Sequence, residues 1–127
     1  MIYLDTSVAL AHLLGETRVP PASLWEETLV ANRLLEYELW TRLHARRLTH
    51  SHAEPVRELL SVVALVELSP VVLTRALEPF PVPVRTLDAL HLASMVYLRD
   101  RDGSLTLASY DDRLVRAARA LEIAVLT

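Results

Sequence analysis

Cysteine is absent from the 127 residues, which excludes disulfides and thiolate metal centres and leaves oxygen and imidazole as ligands for any metal. Lysine is absent too. All 13 basic residues are arginine, so a P-loop lysine, Schiff-base chemistry and a lysine-dependent phosphoryl switch are ruled out. With only two glycines and no Gly/Ser tract, no flexible linker divides the chain, and 127 residues are expected to form one domain. Long hydrophobic runs are also missing. Mean hydropathy is +0.27, yet the longest uncharged stretches, Thr6–Gly15 and Ala89–Leu98, are about half of a spanning helix. No basic and apolar leader opens the sequence, so the expectation is a cytoplasmic protein with no membrane segment. A net charge of −3 argues against nonspecific coating of nucleic acid. It leaves open a nucleic-acid enzyme with its acids gathered at one site.

The remaining pattern alternates short apolar runs with amphipathic stretches. Ile2–Leu4 reads as a strand, followed by a helix Val8–Leu14 capped by Thr6 or Ser7 and stopped by Gly15. Pro20-Pro21 favours a helix over about 22–28, Leu29–Ala31 a short strand, and Arg33–Leu48 an amphipathic helix. Ser51-His52-Ala53-Glu54 matches a capping box for a helix to about Leu65, with Pro55 in its first turn. Val66–Leu68 is a weak strand, and Ser69-Pro70 opens a helix to about Leu77. Residues 78–83 carry three prolines and must be extended. Thr86 then caps Leu87–Leu98, Leu105–Ala108 is a strand, Asp111–Leu121 a helix and Ile123–Leu126 a last strand. This alternation predicts a three-layer α/β/α domain around a central, mostly parallel sheet.

Ligands of such sheets bind at the carboxyl ends of the strands, and that is where acids fall. Asp5 ends the first strand, Asp111 follows the Leu105–Ala108 strand, and Asp88 sits in the first turn of an otherwise apolar helix. Each alone is accounted for as a helix-terminal carboxylate worth about 0.3–1 kcal/mol. Together at one edge they would repel without a cation, and hard oxygen donors suit Mg²⁺ or Mn²⁺. Glu36 and Glu38, two residues apart, cannot face one site together, and helical phase alone does not choose between them. His44, His50 and His52 are too irregular for a helical zinc pair. His91, one turn after Asp88, is expected to be a hydrogen-bonded core histidine. Arg42, Arg46 and Arg47, and the triplet Arg113, Arg116 and Arg119, either hold phosphates or form solvated basic faces.

Four blocks in order, Ile2-Tyr3-Leu4-Asp5-Thr6-Ser7, Arg33–Leu39, Arg85-Thr86-Leu87-Asp88-Ala89-Leu90-His91-Leu92-Ala93 and Ala108-Ser109-Tyr110-Asp111-Asp112-Arg113-Leu114, resemble those of a PIN domain. The closest likeness is to the toxin ribonucleases of VapBC toxin–antitoxin pairs. The resemblance implies a Mg²⁺-dependent endoribonuclease that hydrolyses RNA phosphodiesters with metal-activated water. Its acids would be Asp5, Glu38, Asp88 and Asp111, with Thr6, Ser7, Ser109 and Asp112 in supporting roles. The family register favours Glu38 over Glu36 and Asp111 over Asp112. It further implies an RNA substrate, a small cognate antitoxin whose tail crosses the acidic groove, and a homodimer. Setting the four acids aside turns the net charge from −3 to +1, so the rest of the chain need not repel RNA. Apolar surface for pairing is expected on Val62–Val66 and on the segments carrying Trp25 and Trp40. The alternatives are a housekeeping nuclease of the same fold and a non-catalytic α/β binding module whose acids are only caps.

Overall fold

A computed structural model describes residues 1–126. Its five strands, β1 (Ile2–Leu4), β2 (Leu29–Asn32), β3 (Val63–Val66), β4 (Thr106–Ala108) and β5 (Ala124–Val125), form one wholly parallel sheet in the order β3-β2-β1-β4-β5. β1 and β2 lie in the middle and are buried at every residue, as strands covered on both faces must be. The chain adds strands outward from β1 on one side, then returns and adds β4 and β5 on the other. The order therefore reverses between β1 and β4, and a crevice opens at their carboxyl ends.

Helices α1 (Thr6–Leu14), α2 (Leu34–Ala45) and α3 (Thr49–Ser61) pack on one another over one face. Helices α4 (Pro70–Leu77), α5 (Thr86–Asp102) and α6 (Asp112–Ala120) form the other layer, as right-handed crossovers in two opposite directions require. The architecture is thus three-layered α/β/α. The core runs through both layers, with Tyr3, Leu35, Leu39, Leu92, Met95 and Leu107 fully enclosed. Gly15 and Gly103 end α1 and α5 at φ of 60° and 87°, left-handed conformations that cost a side-chain-bearing residue strain. Among the described residues no helix is long and apolar enough to cross a membrane.

The structure moves several boundaries. α1 is capped by Asp5 rather than by Thr6 or Ser7, because the Asp5 carboxylate accepts the Ser7 N–H. The segment after Pro21 is a single 3₁₀ stretch, Ala22–Glu26. α3 starts two residues before the expected capping box, and Ser51 donates to the Leu48 carbonyl instead of capping. Pro55 consequently lies inside the helix, on an exposed face where water can reach the carbonyl left without an N–H. α3 stops at Ser61, and residues 63–66 form β3, which starts three residues before the expected Val66–Leu68. These four residues, β-branched at Val63 and Val66, gain a full ladder against Leu29–Asn32, which a helix running to Leu65 would forfeit. Thr86 is the first residue of α5 rather than its cap, and α6 begins at Asp112 with Asp111 as cap. Trp25 and Trp40 are partly buried against the core, whereas α4 exposes Val71, Leu73 and Leu77, the last to 89%.

Candidate active-site cleft

Parallel pairing of β1 with β4 sets Leu4 beside Ala108, so the residues that follow them meet at the crevice. Asp5 is nearly enclosed, 6% exposed, and its N–H donates to the Ala108 carbonyl at 3.0 Å. Its Oδ2 accepts three hydrogen bonds: from Ser7 Oγ at 2.6 Å, Ser109 Oγ at 2.8 Å and Ser7 N at 3.3 Å. Those serines are fixed in turn, Ser7 Oγ accepting from Tyr110 N and Ser109 Oγ from Asp111 N. Asp111 Oδ1 accepts from Arg113 N and Leu114 N, so one residue both caps α6 and borders the crevice. Capping and cleft-lining are therefore not rival roles for Asp5 and Asp111. A cap on a helix that follows a parallel strand stands at the site by construction.

Glu38 comes from α2, in the layer opposite α5 and α6. Its Oε1 lies 2.6 Å from His91 Nε2, and His91 Nδ1 lies 2.8 Å from the Tyr3 hydroxyl, which also accepts the Asn32 N–H at 3.2 Å. In the neutral imidazole a Tyr3 O–H donated to Nδ1 leaves Nε2–H to donate to the Glu38 carboxylate, and in the imidazolium Nε2–H donates there as well. Asn32 ties the relay into the fold by accepting from Leu34 N and donating to Ser94 Oγ and the Leu90 carbonyl. Burial alone would push the His91 pKa down. The hydrogen bond and charge of Glu38, with Asp5 and Asp88 behind it, outweigh burial and raise it above the ordinary imidazole value. Tyr3 is held far above its usual range, first by burial, and stays a neutral donor.

Asp88 completes the set from the first turn of α5. Among the described residues its carboxylate accepts no hydrogen bond, and its pKa is pushed above the ordinary value first by partial burial and then by the negative charge of Asp111, with Arg113 opposing. Asp5, Glu38, Asp88 and Asp111 line one cleft of about 500 Å³, together with Thr6, Ser7, His91 and three arginines, Arg42, Arg85 and Arg113. Glu36 does not line it and faces Arg33 at 4.0 Å; Asp112 is exposed and does not line it either. Thr6 lies on the wall, and among the described residues its buried Oγ1 has no hydrogen-bond partner. Arg85 in the cleft wall, and the support that Tyr3, Asn32 and His91 give Glu38, were not anticipated. Only a buried Asn at a strand end and a His one turn from Asp88 hinted at the latter.

Among the described residues no three Asp, Glu or His side chains already converge closely enough to ligate one ion. The donor set nonetheless fits a hard divalent cation. Mg²⁺ keeps several waters and takes only one or two carboxylates directly, so no closed protein cage is required. Among the described residues Asp5 Oδ1 accepts no hydrogen bond and the buried Thr6 Oγ1 has no partner, and the raised Asp88 pKa marks negative charge that a cation would relieve.

Comparison with known proteins agrees with this geometry. The PIN domain profile matches residues 2–120, nearly the whole chain. No curated protein matches significantly. The parallel five-stranded sheet, its two helical layers and the acids at its switch point are those expected of that profile, and the chain belongs to the PIN domain family, whose members are generally metal-dependent nucleases.

Proposed function

We propose that the chain is a metal-dependent endoribonuclease in which Asp5, Glu38, Asp88 and Asp111 hold Mg²⁺ or Mn²⁺, and that it acts in the cytoplasm as the toxin of a toxin–antitoxin pair. The observation that carries the reading is that four carboxylates from separate parts of the chain line one open cleft beside arginines. When bound, the cation supplies activation of a water for in-line attack on phosphorus and neutralises charge on the leaving oxygen. The chain's own part is to hold these donors in place. Ser7 and Ser109 fix the Asp5 carboxylate, and His91, backed by Tyr3, fixes that of Glu38. Arg42 and Arg113 stand on the cleft wall where they can meet the phosphate oxygens of a bound strand. The proposed partners are RNA, a small antitoxin whose tail covers the cleft, and a second copy of this chain. The apolar residues exposed on α4 offer surface for pairing or for an antitoxin helix.

Single-stranded RNA should be cut in Mg²⁺ or Mn²⁺ and left intact in excess EDTA, with Asp88→Asn inactive in both. Water rather than the ribose 2′-hydroxyl is the nucleophile, so a 2′-deoxy substitution at the scissile nucleotide should not stop cleavage. Cleavage that persists in EDTA, or that needs the 2′-hydroxyl, overturns the mechanism. An inhibitory antitoxin should lose inhibition, but not binding, when its tail is removed.

A further inference from the structure

We infer that the acidic cleft opens into a phosphate-binding groove between the proline-rich connection and α6, where Arg85, Arg113 and Arg116 hold the backbone of the RNA strand on one side of the scissile bond. The inference rests on the nuclease reading and adds a direction to it. A second depression of about 540 Å³ lies against the first, and Arg85, Asp88 and Arg113 line both, so the two adjoin along a shared wall. Arg116 lines only the second, opposite the extended Val82-Pro83-Val84 segment.

The arginines of this channel are free. Arg33, Arg46, Arg57 and Arg99 each lie within ion-pair distance of a carboxylate, whereas among the described residues the guanidinium groups of Arg85, Arg113 and Arg116 make neither an ion pair nor a hydrogen bond. α6 turns Leu114, Ala117 and Ala118 into the core, which leaves Arg113 and Arg116 exposed one turn apart. At i and i+3 their Cβ atoms lie about 5–6 Å from each other, a spacing from which flexible side chains reach successive phosphates. Arg85, the residue before α5, faces the same channel from the connection. The opposite end of the cleft is different. Only Arg42 lines it, while Arg46 is turned to Glu16 at 3.9 Å.

An acidic peptide gains nothing from a channel that runs into four carboxylates. A phosphodiester strand does, because the phosphate brought to the cation in the cleft is covalently joined to those held in the groove. The Pro83 wall adds a stiff, weakly polar surface against which sugar and base can lie, and the chain's net charge of −3 makes such local attraction necessary.

The test measures binding of a labelled single-stranded RNA to the full chain carrying Glu38→Gln, in Mg²⁺ and at several salt concentrations. Arg116→Ala in that background should weaken binding about tenfold and reduce the slope of log K against log salt by about 0.7, the loss of one phosphate contact. In the otherwise native enzyme the same change should raise KM and leave kcat unchanged. Arg116→Lys should recover most of the affinity, and Arg119→Ala, on the same helix but outside the channel, should change neither quantity. An Arg116→Ala slope equal to that of the parent, equal losses at Arg116 and Arg119, or displacement of the RNA by a polyglutamate peptide in an Arg116-dependent manner would overturn the groove. RNA cleavage that is normal while Arg116 has no effect defeats the groove alone. Arg116-dependent binding without any metal-dependent cleavage defeats the nuclease reading and leaves the groove standing.

Discussion

The two halves of the cleft are built on opposite principles. On the β1–α2 side, Asp5 and Glu38 are tied down: one carboxylate accepts three hydrogen bonds on Oδ2, and the other is held by a buried imidazole that is itself held by a buried phenol. On the α5–α6 side, among the described residues, the Asp88 carboxylate has no hydrogen bond, Asp111 Oδ1 accepts from its own helix, and the charge of Arg113 opposes that of Asp111 at Asp88. The first half is preorganised at the expense of freedom, and its ligands need not move to act. The second stores negative charge that the protein alone does not neutralise. A cation therefore finds fixed donors on one side and unrelieved charge on the other, and the difference predicts that the halves fail differently when altered.

The largest effects are expected at Asp5 and Asp88. Either Asp5→Ala or Asp88→Ala should reduce RNA cleavage to background, but their stabilities should part. Loss of Asp5 removes the α1 cap, about 1 kcal/mol, and strands the hydroxyls of Ser7 and Ser109, for about 1–3 kcal/mol more. Loss of Asp88 removes a carboxylate that burial and Asp111 disfavour, so the metal-free chain should lose nothing or gain. Urea unfolding in EDTA reads the contrast directly. Equal destabilisation by the two substitutions would show that the halves are not distinct.

The relay sets the next effect. Tyr3→Phe keeps the ring in the core but deprives His91 Nδ1 of its hydrogen-bond partner, so the imidazole loses a contact that holds it in place behind Glu38. Glu38 then loses its fixed orientation, and Mn²⁺ affinity measured by calorimetry should fall about 10–100-fold, the usual cost of removing support behind a ligand. His91→Ala should do at least as much. Retention of full Mn²⁺ affinity in Tyr3→Phe would mean that the tied half owes its geometry to packing alone.

How far all this was legible in the sequence follows from the same contrast. Asp5 and Asp111 were readable because a strand, an acid and a helix follow one another within a few residues, and parallel pairing does the rest. The relay was not, since Glu38, His91 and Tyr3 are brought together from positions 53 and 88 apart by two layers meeting over the sheet edge. Helical phase does not choose between Glu36 and Glu38; the family register favours Glu38, and Glu38 is the one that lines the cleft. The same limit applies to the Val62–Val66 region: five apolar residues suit the end of a helix or a strand, and the ladder with β2 decides it. Arg85 joins Arg113 and Arg116 only because α5 and α6 start at the same edge, a fact of topology and not of spacing.

A smaller effect concerns pH in the metal-free chain. Asp88 has a pKa raised above its ordinary 3.8, so the folded state binds that proton more tightly than the unfolded state does. Stability from this group is therefore present at low pH and falls as pH rises from 3.8 through the folded value, remaining reduced above it. Asp88→Asn should flatten this component. Unfolding midpoints collected in EDTA across that window should show the variant gaining on the parent as pH rises. A variant that loses ground instead would mean that Asp88 is stabilised as a carboxylate and belongs with the tied half.

The smallest effects are expected from Glu36 and Asp112, the two acids that the family register passes over in favour of their neighbours. Glu36 lies across from Arg33, whose stronger partner is Glu67, and an exposed pair of this kind is worth about 0–1 kcal/mol. Asp112 is exposed in the first turn of α6, after a cap that Asp111 already supplies. Glu36→Gln and Asp112→Asn should each leave stability within about 0.5 kcal/mol and leave metal-dependent cleavage at the level of the parent. Each has a sensitive counterpart one or two residues away, Glu38→Gln and Asp111→Asn, so the four variants together fix which face of α2 and which residue at the start of α6 meet the substrate. If Glu36→Gln abolished cleavage while Glu38→Gln did not, α2 would have to be rotated by about half a turn in the active enzyme, and the bond from Glu38 to His91 would have no part in holding the site.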